Sequence, residues 1–298
     1  MSEWSVPVDL RNPGQVFACR GFVEAAETLL GRAFASSFHY EPLATRGRFV
    51  ICGEAQDHPI EAVIRFLQRA EASIVVPSPQ PVPALSAETW KTPSTMASDS
   101  HAFPMRVPQK PASLPALISD GVTDLQIDAW CDGPKQLGRD NVKFWAGSGG
   151  YPGAALARDA LVPIAKMTSE EALGAIADPF AFAAPMTSSF GFDWRRSYIP
   201  LDAGFSPNEH KKKMTMLGFP LTELLAVIGL QNARPQIFDK LSYRYGISAA
   251  RLPTILARPI LGGTEIGFPM RTFRLQLARP GKASKMRCII NAQEELHS

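Results

Sequence analysis

The residue types best suited to bind a ligand lie together in residues 141–153, Asn-Val-Lys-Phe-Trp-Ala-Gly-Ser-Gly-Gly-Tyr-Pro-Gly. Its four glycines allow the backbone to approach a partner closely. Asn141 and Lys143 can hydrogen-bond to base edges or phosphates, and Trp145 can stack on a flat group. The pattern therefore predicts a loop that contacts a nucleic acid or a phosphorylated ligand. The alternative is a glycine-rich turn before a helix, with Phe144 and Trp145 buried.

Two further groups of cations lie between residues 190 and 213. Arg195 and Arg196 are adjacent, so in a strand they would point to opposite sides and at most one would pack inward. A guanidinium group binds phosphate through two parallel hydrogen bonds, which makes both residues candidate phosphate contacts. The alternative is an ion pair with Asp193 or Asp202. A lysine triplet follows, for which simple solvation is the alternative: Lys211, Lys212 and Lys213.

The C-terminal part of the chain concentrates positive charge. Residues 251–288 contain six arginines and two lysines against a single acid, a net charge of +7, whereas the whole chain carries +3. Such an asymmetry favours an anionic partner, although cations at a sheet edge are the alternative. A predicted hairpin over residues 270–278 and 285–291 brings its cations to one face. The candidate contacts on this hairpin are Arg274, Lys285 and Arg287.

The sequence contains no recognisable catalytic or metal-binding motif. It has no Walker A loop, no Gly-x-Ser-x-Gly elbow and no His-Glu-x-x-His, and its four cysteines are widely spaced. We therefore predict a non-catalytic protein without a cofactor or metal. The rival hypothesis is an enzyme that holds a phosphorylated small molecule in the 141–153 loop, with Asp128 or Asp193 as the base. A third is a scaffold that binds only protein.

Composition places the chain among ordinary globular proteins. It has 298 residues, of which 45% are hydrophobic and 20% charged. No apolar run approaches the roughly 20 residues that span a bilayer. The first residues show no cationic region followed by an apolar segment, so we expect no secretory signal. Unpaired cysteines fit a reducing compartment, and we expect a cytoplasmic protein with no membrane partner.

The first predicted elements are a strand over residues 4–10 and a helix over residues 13–30. Asn12 is a suitable N-cap and Pro13 suits the first helical turn. Apolar residues follow a helical stripe, and Gln15 and Arg20 are the polar residues of this helix that can face a partner. Strands over 35–40 and 48–52 and a helix over 60–70 complete the unit, with His58 as a surface or capping group.

Residues 76–115 are rich in proline, serine, threonine and alanine, which disfavours both helix and sheet. We predict a mobile arm or linker that becomes ordered in a complex. A strand over 124–131 and helices over 154–167, 169–176 and 217–230 follow, the last apolar nearly all round. Segments 236–245 and 248–257 resemble short helices or irregular structure. The expected fold is α+β: a unit over 1–75, the arm over 76–115, and a binding region over 116–298 that ends in a basic β-hairpin.

Three segments together resemble a known family. They are residues 12–24 (Asn-Pro-Gly-Gln-Val-Phe-Ala-Cys-Arg-Gly-Phe-Val-Glu), residues 143–147 (Lys-Phe-Trp-Ala-Gly), and residues 202–207 (Asp-Ala-Gly-Phe-Ser-Pro) running into 220–231 (Pro-Leu-Thr-Glu-Leu-Leu-Ala-Val-Ile-Gly-Leu-Gln). They are similar to the short large-subunit-like proteins of type I-G (formerly I-U) CRISPR–Cas systems. The resemblance covers most of the chain apart from the proline-rich arm.

The resemblance implies a non-catalytic subunit of a Cascade-type complex. Its expected partners are guide RNA, double-stranded target DNA with its protospacer-adjacent motif, the backbone and other Cascade subunits, and the helicase-nuclease that it helps to recruit. Larger relatives end in a helical bundle, whereas this chain is predicted to end in a basic hairpin. Contacts that such a bundle makes would then belong to another subunit.

Overall fold

A computed structural model of the chain describes residues 2–54, 57–76, 91–98, 114–128, 153–195, 216–239, 241–278 and 288–295. These residues form six α-helices and fourteen strands, which confirms the predicted mixed α+β class. The helices are α1 (Pro13–Leu30), α2 (Pro59–Arg69), α3 (Gly153–Ala165), α4 (Ser169–Ala177), α5 (Pro220–Gly229) and α6 (Thr254–Leu261). The strands are β1 (Ser2–Asp9), β2 (Ala35–His39), β3 (Arg46–Gly53), β4 (Glu71–Val76), β5 (Ser94–Met96), β6 (Ala116–Ser119), β7 (Asp124–Ile127), β8 (Ala184–Met186), β9 (Met216–Gly218), β10 (Gln236–Asp239), β11 (Ser242–Ile247), β12 (Leu252–Pro253), β13 (Arg271–Ala278) and β14 (Cys288–Glu295).

The described strands form three four-stranded sheets and one pair, β8 with β9. The first sheet has the antiparallel order β1-β3-β2-β12. The second has the order β5-β4-β6-β7, with β5 parallel to β4. The C-terminal sheet has the antiparallel order β10-β11-β13-β14. Strands from both sides of the boundary predicted at residue 75 therefore meet in the first and second sheets.

Helix α1 begins and ends where its sequence predicts. Pro13 opens it, and Gly31 follows its last residue with a φ of 60°, a left-handed conformation that glycine adopts without steric cost. Asn12 precedes the helix in an extended conformation, but its side chain makes no capping bond. Its Nδ2 instead donates to Asp193 Oδ1 over 2.9 Å. The predicted start is confirmed, whereas the predicted cap fails because the Asn12 amide donates its hydrogen bond to a distant carboxylate.

Helices α1 and α5 lie at the centre of the fold, and glycines set how closely they pack. A Cβ at Gly21 would overlap the main chain of Leu225, and a Cβ at Gly229 would overlap the carbonyl oxygen of Phe17. Every residue of α5 is buried, as predicted for a helix that is apolar nearly all round. Helix α1 is buried without interruption from Pro13 to Ala26. Polar side chains in that stretch therefore lie inside the protein.

The predicted α2 and the capping role of His58 are both confirmed. His58 Nδ1 accepts a hydrogen bond from the backbone N–H of Glu61 over 3.3 Å, at the start of the helix.

Helix α4 begins with a capping box, in which the Thr168 hydroxyl and the Glu171 carboxylate each accept from the other residue's backbone N–H.

Two sequence predictions require correction. Residues 236–239 and 242–247 form strands β10 and β11 rather than helical or irregular structure, since Tyr243, Tyr245 and Ile247 alternate into the core. Within the predicted arm, β5 pairs with β4, and Thr95 Oγ1 donates to Ser73 Oγ over 3.0 Å. That part of the arm is therefore regular structure. Residues 77–90 and 99–113 lie outside the described residues.

Candidate nucleic-acid interface

Two of the segments that carry the CRISPR resemblance lie in the core. Residues 12–24 supply most of α1, and residues 220–231 include all of α5. The buried Glu223 carboxylate accepts hydrogen bonds from the backbone N–H groups of Phe192 and Asp193 over 3.1 and 3.0 Å. A Cβ at Gly14 would lie 2.9 Å from the main chain of Phe192. Packing thus accounts for many of the residue types in these segments.

The structure corrects the expectation that Gln15 and Arg20 face a partner. Gln15 is 4% exposed, and its Oε1 accepts from the backbone N–H of Asp9 over 2.7 Å. Arg20 is 3% exposed and donates to Ser36 Oγ. Helical periodicity suggested an outer face for α1, but neighbouring elements cover this part of the helix. Neither side chain is available to a nucleic acid.

Arg20 keeps its charge although it is buried. Burial lowers the pKa of its guanidinium to about 10, and the negative potential of Glu24 and Glu27 limits the decrease. It is therefore still protonated at neutral pH. Its Nη1 has no hydrogen-bond partner among the described residues. Arg20 also lines a cavity of about 10 Å³, roughly the space that one water molecule needs.

Arg195 forms the ion pair that was the alternative to a phosphate contact. Its Nη2 lies 2.6 Å from Oδ2 of Asp193, a residue that is fully buried, and its guanidinium lies 3.8 Å from the ring centroid of Phe219. Nη2 also donates to the carbonyl of Phe180 over 2.8 Å. Residues 190–195 do not form a strand. The Arg195 guanidinium therefore stabilises the turn over residues 190–195 against the core.

Most of the described arginines in the basic C-terminal region are paired with acids from elsewhere in the chain. Arg251 pairs with Glu3, and Arg258 with Glu24 over 2.7 Å. Arg271 pairs with Glu294 over 2.6 Å, and Arg274 with Glu295 over 2.6 Å. The charge excess read from residues 251–288 is thus partly neutralised in three dimensions. Sequence distance concealed these pairs, because the acids lie outside that window.

The outer side of the C-terminal sheet collects polar and charged side chains. Its inner side packs on α1: Tyr245 lies 5.7 Å from Phe17 between ring centroids, and Phe273 stacks on Tyr245 at 5.2 Å. Alternation places the intervening residues outward. We call this outer side the C-terminal sheet face, and its side chains that are not buried include Gln236, Phe238, Asp239, Arg244, Arg274, Gln276, Asn291, Gln293 and Glu295.

The centre of the C-terminal sheet face is a group of two arginines, an aromatic ring and a carboxylate. Arg244 and Arg274 are direct partners across β11 and β13. Their guanidinium carbons lie 4.6 and 3.9 Å from the ring centroid of Phe238, which is 41% exposed. Glu295 accepts hydrogen bonds from both arginines. Cations beside an exposed ring suit a ligand with both phosphates and flat bases.

The negative charge of Glu295 stabilises the arrangement of Arg244 and Arg274 beside Phe238. Burial opposes its charged form, but the hydrogen bonds from Arg244 and Arg274 outweigh that effect and lower its pKa. At neutral pH the group therefore holds two positive charges and one negative charge. An anionic ligand that binds here competes with Glu295 for the same guanidinium donors.

Sequence reasoning found Arg274 but missed Phe238 and Arg244. It interpreted residues 236–245 as helical or irregular, so it had no reason to place them beside the hairpin. The available signal was the alternation of Tyr243, Tyr245 and Ile247, which is typical of a strand with one buried face. Recognising that strand would have put Arg244 on the outward side, though not opposite Arg274.

Several predicted contacts lie outside the described residues, so their predictions stand unchanged. They are Asn141, Lys143, Trp145, Arg196, Lys211, Lys212, Lys213, Lys285 and Arg287. Residues 279–287, which connect β13 to β14, carry four cations and no acid, Arg-Pro-Gly-Lys-Ala-Ser-Lys-Met-Arg. In the sequence, four more cations therefore come directly after β13, the strand that contains Arg274.

Within the described ranges, no group of three or more His, Cys, Asp and Glu side chains could hold a metal ion. In the same ranges, no helix is long and apolar enough to cross a membrane. No family model, no curated protein and no solved structure matches this chain.

Proposed function

We propose that this chain is a non-catalytic, large-subunit-like component of a type I CRISPR RNA-guided surveillance complex, and that it binds nucleic acid through the C-terminal sheet face. The observation that carries the proposal is the cross-strand pair Arg244–Arg274 beside the exposed ring of Phe238. Guanidinium groups can bind phosphates, and an exposed ring can stack on a base.

The resemblance supplies the biological context of the proposal. In this proposal, the chain binds guide RNA, target DNA and the other subunits of the complex, and helps to recruit the helicase-nuclease. The core position of residues 12–24 and 220–231 makes these segments evidence for a shared scaffold rather than for a shared site. The loop over residues 141–153 keeps its proposed role in recognising the protospacer-adjacent motif.

A non-catalytic role agrees with the surroundings of the two carboxylates considered as bases. Asp193 is fully buried and is held by Asn12 and Arg195. A general base needs access to substrate, which the burial of Asp193 prevents. Asp128 is half-buried, and its two carboxylate oxygens accept from Gln126 and Gln231.

The salt dependence of DNA binding by the assembled complex tests the proposal. Each lost phosphate contact lowers the slope of log K against log salt by roughly 0.7–0.9. We expect a triple variant, Arg274→Ala with Lys285→Ala and Arg287→Ala, to lower the slope by roughly 2 to 3. The matched control is Arg48→Ala, an exposed arginine of the first sheet that bonds to Ser5. If the triple variant keeps the parental slope, Arg274, Lys285 and Arg287 do not contact nucleic acid.

A second experiment tests the assignment to a surveillance complex. We expect a pull-down from the native host, followed by nuclease treatment and sequencing of the protected RNA, to recover repeat-derived guide RNA. Recovery of partner proteins without RNA would instead favour the scaffold hypothesis.

A further inference from the structure

We propose that the ligand of the C-terminal sheet face is single-stranded nucleic acid, an inference that rests on the proposed function and specifies its ligand. The C-terminal sheet face joins four strands side by side. With neighbouring strands about 4.8 Å apart, it is roughly 14 Å wide. The major groove of a DNA duplex is about 12 Å wide and the minor groove about 6 Å. A sheet of this width does not fit into a groove of regular B-form DNA, so an undistorted duplex would touch it only through its phosphate ridges.

The side chains on this face suit a strand whose bases are free. Four of the side chains on this face are amides: Gln236, Gln276, Asn291 and Gln293. Each amide offers both donors and an acceptor, the pattern that pairs with exposed base edges. Against the phosphate ridges of an undistorted duplex, the amides could donate to phosphate oxygens but would not reach base edges, whereas a single strand offers both. Phe238, with 41% of its surface exposed, has the same requirement, because a base stacks on a ring only when it has left its own stack.

The charge of the C-terminal sheet face points to the same ligand class. It carries two arginines against two acids, Glu295 and Asp239, so few phosphates can be neutralised here. Arg244 and Arg274 lie within 5 Å of the Phe238 ring centroid, at 4.6 and 3.9 Å. A stacked base would therefore bring its adjoining phosphate next to both guanidinium groups. This places one stacking site and its phosphate contacts together at the centre of the sheet.

Fluorescence anisotropy on the full chain tests the ligand class. The probes are labelled 12-nucleotide single strands of DNA and RNA and the matching DNA duplex, at several salt concentrations. We expect Phe238→Ala to weaken single-strand binding about 5- to 150-fold, the range for one stacked base, and to leave duplex binding unchanged. Phe238→Tyr keeps a stacking ring and should restore affinity. We expect Arg274→Ala to lower the single-strand salt slope by roughly 0.7. The Arg48→Ala variant serves as the control.

The outcomes separate this inference from the proposed function. The single-strand inference is wrong if the parent binds the duplex more tightly than the single strands and Phe238→Ala changes the affinity for neither. A lower salt slope of duplex binding in Arg274→Ala would then show that the face binds duplex phosphates. If neither probe binds to the chain alone or in its complex, the proposed function fails as well. Should Phe238→Ala not fold, Gln276→Ala and Gln293→Ala on exposed positions must weaken single-strand binding, and unchanged affinity would overturn the inference.

Discussion

At the residue scale, Glu295 controls how much positive charge the C-terminal sheet face offers. It accepts hydrogen bonds from both Arg244 and Arg274, the two cations at the centre of the face. A phosphate must compete with this carboxylate for the same donors. It is thus an intramolecular counter-ion of the two arginines and occupies the donors that a phosphate would use.

We therefore expect Glu295→Gln to strengthen nucleic-acid binding about threefold to tenfold, equivalent to roughly 1 kcal/mol, the upper range for a partly exposed ion pair. Anisotropy at fixed low salt measures the change. The matched control is Glu294→Gln, which removes the neighbouring carboxylate but frees Arg271, a residue that packs against Tyr40 rather than Phe238. Equal gains from both variants would show a general charge effect instead of a local one.

His58 connects protonation to the stability of α2. Burial lowers the pKa of its imidazole in the folded chain, with Glu61 opposing the shift. Only the neutral ring can accept the hydrogen bond from the Glu61 N–H. In the unfolded chain the ring binds a proton more readily. Its contribution to stability is therefore present above a pH of about 6.5, the unfolded value, and is lost as the pH falls toward the folded pKa.

We expect His58→Asn, which keeps a capping acceptor that does not titrate, to remove this part of the pH dependence. The lost contribution is limited to about 1 kcal/mol, the usual value of an N-cap. Urea unfolding at pH 7.5 and pH 5.5 gives the comparison. An unchanged difference in His58→Asn would mean that the cap does not cause it.

At the element scale, the contact between α1 and α5 depends on the absence of two side chains. Gly21 faces the main chain of Leu225, and Gly229 faces the main chain of Phe17. The neighbouring atoms are backbone, so they cannot rotate away from an added methyl group. Overpacking at such positions forces the helices apart.

We expect Gly21→Ala and Gly229→Ala each to lower the free energy of unfolding by at least about 2 kcal/mol. The control is Gly174→Ala in α4, where an added Cβ meets nothing within 4 Å. There alanine should be neutral or stabilise by roughly 0.5–1 kcal/mol, since glycine is the poorer helix former. Chemical denaturation of the three variants measures their free energies of unfolding. A Gly21→Ala protein as stable as Gly174→Ala would contradict the close packing of α1 on α5.

At the scale of the whole molecule, one core serves sheets whose strands are far apart in sequence. Residues of the first, second and C-terminal sheets and of α1 and α5 belong to the same hydrophobic cluster. The C-terminal sheet is thus anchored to α1 on its inner side, while Gln236, Phe238, Gln276 and Gln293 are exposed on its outer side. An exposed group of side chains on a packed base is what a binding surface requires.

The 141–153 loop is tested in the assembled complex. We expect Asn141→Ala or Lys143→Ala to narrow the affinity gap between cognate and scrambled motif DNA by about 1–3 kcal/mol, the usual value of a specific base contact. Guide-RNA binding and assembly should be intact. A substitution that removes only a phosphate contact would weaken both DNAs alike. If both variants leave the ratio unchanged, motif recognition lies elsewhere in the complex.

The sequence by itself determined the α+β class, the positions of five of the six described helices and those of six of the fourteen described strands, because these depend on local signals. Pro13 and Gly31 mark the ends of α1, and the uninterrupted apolar run of α5 predicts its burial. Alternation along residues 273–277 correctly separates the inner and outer sides of β13. Such signals act over a few residues, so they can be read without knowing the rest of the fold.

Tertiary structure alone decided which polar residues reach solvent and which charges remain unneutralised. Arg20 is buried because the elements packed around α1 cover the face that helical periodicity left outside. Arg251 meets Glu3 across 248 residues of chain, and Arg244 meets Arg274 only through the register of β11 and β13. Ion pairing and burial depend on distance in space, which sequence spacing does not determine. The C-terminal sheet face exists as a surface for that reason.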